Sequence, residues 1–99
     1  MSKPRARWWG YVRRVVRDYP RMCPSNETER REQAAVEAAL AETAALPDGA
    51  ERVELVRLVF FTMDCTVDGA ALRLHLSYTT ARQWQAAFVR RVAAHLGLT

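Results

Sequence analysis

Apolar residues recur every three or four positions along most of the chain, which is the spacing of one buried face of a helix. Near the amino terminus this apolar stripe consists of Trp8, Tyr11, Val12, Val15, Val16 and Tyr19. Pro4 suits the first turn of a helix, and Pro20 disfavours helical geometry in the residue before it. The pattern therefore predicts a first helix over about residues 5–19, with its arginines on the opposite side.

A second helix is predicted to begin after Asn26, because a carboxylate three residues later, Glu29, is typical of a capped helix start. Its apolar stripe is rich in alanine and small in volume, and residues 47–49 close the helix. The stripe consists of Val36, Ala39, Leu40, Thr43 and Leu46.

Asp48 followed by Glu51 repeats the capping pattern and predicts a third helix that runs to Phe61. This helix begins amphipathic and ends apolar on nearly every side, so we expect it in the centre of the molecule. A buried strand over residues 56–61 is the alternative, but no second strand-like run exists for it to pair with.

Residues 67–92 show the spacing of a helix-turn-helix. Thr66 or Asp68 is expected to cap a short helix that runs through about Leu74. A turn follows, and Ser77 is expected to cap the second helix.

Two steeply crossing helices need a small side chain at their closest approach, and Ala71 supplies it. The apolar positions of this motif are Leu74, Leu76, Ala81, Trp84, Phe88, Val92 and Leu96. His75 occupies a turn position where glycine with a positive φ is common, so we expect a strained backbone there. The sequence therefore predicts an all-α domain of about five helices, whose C-terminal helix-turn-helix packs on an apolar central helix.

The second helix of the motif begins with outward side chains that can read base edges or bond phosphates: Ser77, Tyr78, Thr79, Arg82 and Gln83. Arginine forms bidentate hydrogen bonds with guanine, glutamine forms them with adenine, and hydroxyls bond phosphate oxygens. Six further arginines are candidates for phosphate contacts: Arg13, Arg14, Arg17, Arg73, Arg90 and Arg91. The alternative is a helical hairpin with a solvated polar surface.

The net charge of +4 on 99 residues is unevenly distributed. Residues 1–24, the basic N-terminal helix, carry seven cations against one aspartate, a net +6. Residues 25–64, the acidic helical middle, carry four arginines against nine carboxylates, a net −5. Residues 65–99, the helix-turn-helix, carry four arginines against one aspartate, a net +3. Two basic ends favour an anionic partner, double-stranded DNA in particular.

Several other classes of protein find little support in the sequence. The basic start lacks the apolar core of a signal peptide, and no apolar run approaches the ~20 residues of a membrane helix, so we expect a cytoplasmic protein without membrane contact. Cys23 and Cys65 lie 42 positions apart, and His75 and His95 are equally scattered, so we expect reduced thiols and no metal or cofactor. No catalytic constellation has recognisable spacing, so we expect no enzymatic activity.

Four stretches of the sequence are considered together: Trp8-Trp9-Gly10-Tyr11-Val12, Tyr19-Pro20, Leu46-Pro47-Asp48-Gly49-Ala50-Glu51-Arg52, and Gly69-Ala70-Ala71 through Ser77-Tyr78-Thr79-Thr80-Ala81 to Trp84 and Phe88. They resemble small prophage-encoded proteins of Gram-positive bacteria, similar to the RinA and ArpU class of phage late-gene transcription regulators. The C-terminal part of that class resembles region four of bacterial sigma factors. The resemblance implies DNA binding upstream of phage genes, with RNA polymerase or a sigma factor nearby.

Two alternative functions stay open. A phage small terminase subunit also uses a helix-turn-helix, assembles into a ring and marks DNA for packaging. An interaction module without DNA contact is the other alternative, in which the acidic middle or Trp9 docks on polymerase or a sigma factor. Trp9 lies off the first apolar stripe, which predicts either a homodimer contact or packing beneath the C-terminal helix.

Overall fold

A computed structural model describes residues 6–99, and this part of the chain consists of helices and their connections without a strand. The predicted all-α class with five helices is confirmed. The helices are α1 (Trp9–Asp18, followed by a 3₁₀ turn, Tyr19–Arg21), α2 (Glu27–Ala44), α3 (Gly49–Val56, continued as a π-helix over Arg57–Phe61), α4 (Val67–Arg73) and α5 (Tyr78–His95).

The first helix begins later than predicted. Its start near residue 5 and the role of Pro4 lie outside the described residues, but residues 6–8 form a turn rather than a helix. The first helical bond runs from the Val12 amide to the Trp8 carbonyl, and no side chain caps this end of the helix. The predicted apolar stripe is confirmed, with Val12, Val15 and Val16 buried.

The predicted caps of α2 and α4 are confirmed. Asn26 accepts from the Glu29 amide at 2.8 Å and starts α2. Thr66, rather than Asp68, caps α4 by accepting from the Gly69 amide. These bonds satisfy backbone N–H groups that have no partner inside the first turn of a helix.

The predicted cap at Asp48 is wrong. Asp48 adopts a left-handed backbone with φ of +59°, and its side chain makes no capping bond. The chain turns here so sharply that Gly49 lies directly against the carbonyl groups of Thr43 and Ala44 at the end of α2. Asp48 therefore contributes to the turn through its backbone conformation, and its carboxylate does not cap α3.

The third helix is the central element, as predicted, and the strand alternative is excluded. Its last part widens into a π-helix, in which the Thr62 amide reaches the Arg57 carbonyl five residues back. Leu58 and Phe60 are buried there. Together, α3 and its π-helical end contact all four other helices, so the helix-turn-helix packs on an apolar central helix.

The core consists of two clusters. The larger cluster joins α1, α2, α3 and α5 and contains Val12, Val15, Val16, Ala35, Val36, Ala39, Val56, Phe60, Phe88, Val89, Val92 and Ala93. The smaller cluster joins α3, α4 and the first turns of α5 and contains Leu55, Leu58, Ala70, Ala71 and Ala81. Val59 packs against both clusters and connects them.

The two cysteines are free thiols, with Cys23 exposed and Cys65 half-buried. Among residues 6–99, no helix is both long enough and apolar enough to cross a membrane.

Candidate nucleic-acid interface

The connection between α4 and α5 has the predicted helix-turn-helix form. His75, two residues after the end of α4, adopts a positive φ of +57°. The Leu76 amide then donates to the Ala71 carbonyl at 2.9 Å, which turns the chain back. Ala71 and Ala81 are fully buried where the two helices meet. Their small side chains allow this close approach, since larger ones would hold the helices apart.

Ser77 caps α5, with its hydroxyl oxygen accepting from the Thr80 amide at 3.0 Å. The positive end of the α5 dipole therefore lies beside the turn. Every residue predicted to read base edges is exposed at this end of α5: Ser77, Tyr78, Thr79, Arg82 and Gln83.

Helical geometry extends this surface along α5. Thr79, Gln83, Ala86 and Arg90 are spaced by three or four positions, so they share one stripe of the helix. The sequence of α5 contains three arginines and no carboxylate side chain. The α5 outer face is defined here as the surface of Ser77, Tyr78, Thr79, Arg82, Gln83 and Arg90.

Arg82 is held by a carboxylate from the other helix of the motif. Its Nε donates to Asp68 Oδ1 at 3.2 Å and its Nη2 donates to Asp68 Oδ2 at 2.8 Å. The sequence pattern indicates Asp68 only as a candidate helix cap, and Thr66 performs that role instead. The sequence shows that opposite charges flank the turn, but only the crossing of α4 and α5 brings them together.

Among the predicted phosphate-binding residues of α1, Arg13 lies closest to the α5 outer face. Arg13 and Trp9 line a pocket of about 180 Å³ together with Arg82 and Gln85. The Arg13 guanidinium carbon also lies 5.8 Å from the centre of the Phe60 ring. The amino half of α1 therefore adds positive charge beside α5.

Arg14 and Arg17 lie elsewhere on α1. The Arg14 guanidinium covers the ring of Tyr11, whose hydroxyl donates to Glu32 of α2. Burial and the acceptor Glu32 raise the pKa of Tyr11 to about 12. Tyr11 also lines a pocket with Leu96, which lies beyond the carboxyl end of α5, roughly 27 Å along the axis from its start. Arg17 is exposed in the last turn of α1.

The remaining basic candidates have different surroundings. Arg73 is exposed in the last turn of α4. The Arg90 guanidinium carbon lies 5.8 Å from the centre of the Trp9 ring, which places Trp9 against α5, the second of the two predicted positions for this side chain. Arg91 turns towards α2, where its Nη1 lies 3.4 Å from Glu42 Oε1.

Glu42 also receives a hydrogen bond from His95, with Nε2 and Oε1 3.0 Å apart. The hydrogen bond from His95, with a smaller contribution from Arg91, lowers the pKa of the Glu42 carboxyl. This contact ties the carboxyl half of α5 to α2, so Arg91 is less available to a partner than Arg90.

An apolar patch beside the turn was not predicted from the sequence. Leu72 is 71% exposed and Tyr78 is 54% exposed. They line an open pocket of about 410 Å³ with His75 and Leu76. The patch borders the amino end of α5 and leaves the rest of the α5 outer face polar.

No cluster of metal-ligating side chains occurs in the part of the chain that the structure describes. Comparison with protein-family models, with curated proteins and with solved structures finds no match for this chain.

Proposed function

We propose that this chain is a sequence-specific double-stranded DNA-binding protein that regulates transcription, with α5 entering the major groove. The observation that carries the proposal is the α5 outer face, which is exposed, polar and basic on a helix without acidic residues. A groove of duplex DNA admits one helix, and a helix-turn-helix presents the amino end of its second helix to the bases.

Each side chain of the α5 outer face has a chemical role in the proposal. Gln83 pairs with adenine and Arg82 with guanine. Thr79 bonds base edges or phosphate oxygens, and the capped amino end of α5 faces a phosphate. Arg90, two turns further along, and Arg13 from α1 bond backbone phosphates, which adds affinity without sequence preference.

The regulatory role rests on the resemblance to phage late-gene regulators, and it implies RNA polymerase or a sigma factor close to the bound site. The proposal assigns the chain no catalytic activity, metal or cofactor.

The first experiment selects bound duplexes from a randomised library and then measures affinity for the selected site and for an unrelated duplex over a salt series. Each phosphate contact contributes about −0.9 to the slope of log affinity against log salt. We expect a steep negative slope on both duplexes and tighter binding to the selected site. Absent binding, or binding that salt leaves unchanged, would contradict the proposal and favour a protein partner.

Two arginine substitutions distinguish recognition of a base pair from electrostatic binding to the phosphates. Arg82→Ala should weaken binding to the selected site by about 1–3 kcal/mol and relax the preference at one base pair. Arg90→Ala should weaken binding to all duplexes alike and make the salt slope shallower by about 1 unit. Both are measured by fluorescence anisotropy.

Arg30→Ala is the matched control, because it removes the same charge from the first turn of α2, where Arg30 is exposed beside Glu27 at 3.6 Å. We expect Arg30→Ala to bind like the wild type. Equal losses from Arg82→Ala, Arg90→Ala and Arg30→Ala would show that only net charge matters and would exclude α5 as the reading helix. Light scattering on the free protein excludes the terminase alternative if no ring of eight or more chains forms.

A further inference from the structure

The one carboxylate of the helix-turn-helix lies against the arginine best suited to read a base. Asp68 is the only acidic residue between positions 65 and 99. It is placed near the start of α4, whereas Arg82 is on the second turn of α5. The pair therefore spans the turn and joins the two helices of the motif.

The pairing engages only one edge of the guanidinium. The bonds from Nε and Nη2 to the two carboxylate oxygens occupy the side of the Arg82 group. Arginine has five N–H donors, so both N–H groups of Nη1 and the second N–H of Nη2 remain. These form the end-on fork that matches O6 and N7 of guanine.

The Arg82 side chain stays accessible while it is held. It is 62% exposed, and Asp68 is 44% exposed. An exposed ion pair contributes little to the free energy of folding. A negative charge beside a DNA-binding face also opposes binding to phosphates in general. General affinity for DNA therefore does not explain an acid at this position, and the ion pair itself adds little to stability.

We propose that Asp68 is a specificity-determining positioning residue, which fixes the Arg82 guanidinium with its free fork directed at a guanine. The inference rests on the proposed DNA-binding function. By ordering Arg82 before DNA arrives, Asp68 lowers the entropy lost when the side chain meets its base. Its negative charge at the same time weakens binding to unrelated duplexes. Both effects increase the ratio of specific to unspecific affinity.

The test measures affinities of the wild type, Asp68→Ala, Arg82→Ala and the double variant for three duplexes. These are the selected site, the same site with the base pair read by Arg82 replaced, and an unrelated sequence. We expect Asp68→Ala to bind the unrelated duplex more tightly and to lose about two- to tenfold in discrimination at that base pair. In the Arg82→Ala background, Asp68→Ala should leave the discrimination unchanged.

Circular dichroism and thermal unfolding of each variant show whether α4 stays folded. Asp68→Asn keeps one acceptor oxygen and the side-chain size, so it should show an intermediate loss of discrimination. The Arg82 Nε resonance of the free protein reports the pair without DNA, and we expect it to shift in Asp68→Ala. Equal or higher discrimination in Asp68→Ala, or a loss that persists without Arg82, would overturn the positioning role. Salt-dependent, sequence-selective binding by the wild type would still support the DNA-binding function in that case, so the two proposals fail separately.

Discussion

At the scale of single residues, the joint between α2 and α3 depends on Gly49. A Cβ atom at this position would overlap the Ala44 carbonyl and lie 2.8 Å from the Thr43 carbonyl oxygen. These are backbone atoms at the end of a helix, so they cannot rotate away as a side chain does. The space between the two helices therefore requires glycine here.

We expect Gly49→Ala to lower the free energy of unfolding by about 1–3 kcal/mol, because α2 and α3 must move apart to admit the methyl group. Urea denaturation followed by circular dichroism measures the loss. Gly10→Ala is the matched control: Gly10 is in α1, and nothing lies within 4 Å of the added atom. That substitution should be neutral or stabilising by up to about 1 kcal/mol. Equal effects of the two substitutions would contradict the close approach at Gly49.

The exposure of the α5 outer face could be predicted residue by residue, because helical periodicity alone separates outward from inward positions. The ion pair between Arg82 and Asp68 could not. It joins positions 14 apart through a turn, and its geometry depends on how α4 crosses α5. Likewise, two positions for Trp9 stayed open in the sequence because only the packing of α1 on α5 decides between them.

At the scale of elements, the start of α2 contains a reciprocal cap that depends on pH. The Glu29 carboxylate accepts from the Ser25 amide at 2.9 Å and from the Ser25 hydroxyl at 2.8 Å. These bonds lower the pKa of Glu29 from its ordinary value of 4.5. The cap therefore holds best while the carboxylate is ionised.

Because the pKa of Glu29 is lower in the folded state than in the unfolded state, its contribution is complete above about pH 4.5 and is lost as the pH falls through the folded pKa. We expect Glu29→Gln to be less stable at pH 7 and to lose less stability between pH 5 and pH 3 than the wild type. Thermal unfolding over this pH range measures the difference. Ser25→Ala, which retains the amide donor, should show a smaller change in the same direction. An unchanged acid dependence in Glu29→Gln would contradict this role.

Local signals in the sequence were sufficient for most helix boundaries. The caps at Asn26, Thr66 and Ser77 act within three residues, so spacing alone predicts them. The same spacing gave a wrong cap at Asp48, where the close approach of α2 fixes the backbone instead. The π-helix after Val56 was not predicted, because its wide turn depends on side chains packed on several sides at once.

At the scale of the whole molecule, α2 in the acidic middle of the sequence contacts both basic ends. Three glutamates of α2 have partners on α1, on the 3₁₀ turn after it or on α5: Glu32 with Tyr11, Glu37 with Tyr19, and Glu42 with Arg91 and His95. Among these, only the contact of Glu42 with Arg91 joins a glutamate to an arginine, and the other two glutamates accept from tyrosine hydroxyls. These three acids bind surfaces other than the α5 outer face, where Asp68 is the carboxylate that pairs with Arg82.

The two-part core implies that the molecule does not open all at once. The smaller cluster has five buried residues, three of them alanines, and α4 has few other buried contacts. The second half of α5 belongs to the larger cluster. Regions with little buried apolar area open locally at a lower free energy than the rest of a protein.

We expect native-state hydrogen exchange to show this difference. Amide protons near Ala70 and Ala71 in α4 should exchange through partial opening, and those near Val89 and Val92 only through global unfolding. Leu58→Ala should increase exchange in α4 far more than at Val92. Exchange of both helices at a single free energy would contradict a separate unit. In the proposed complex, DNA contacts the unit that opens first, so bound duplex should slow amide exchange most in α4. The free energy needed to order α4 and the start of α5 then becomes part of the binding affinity.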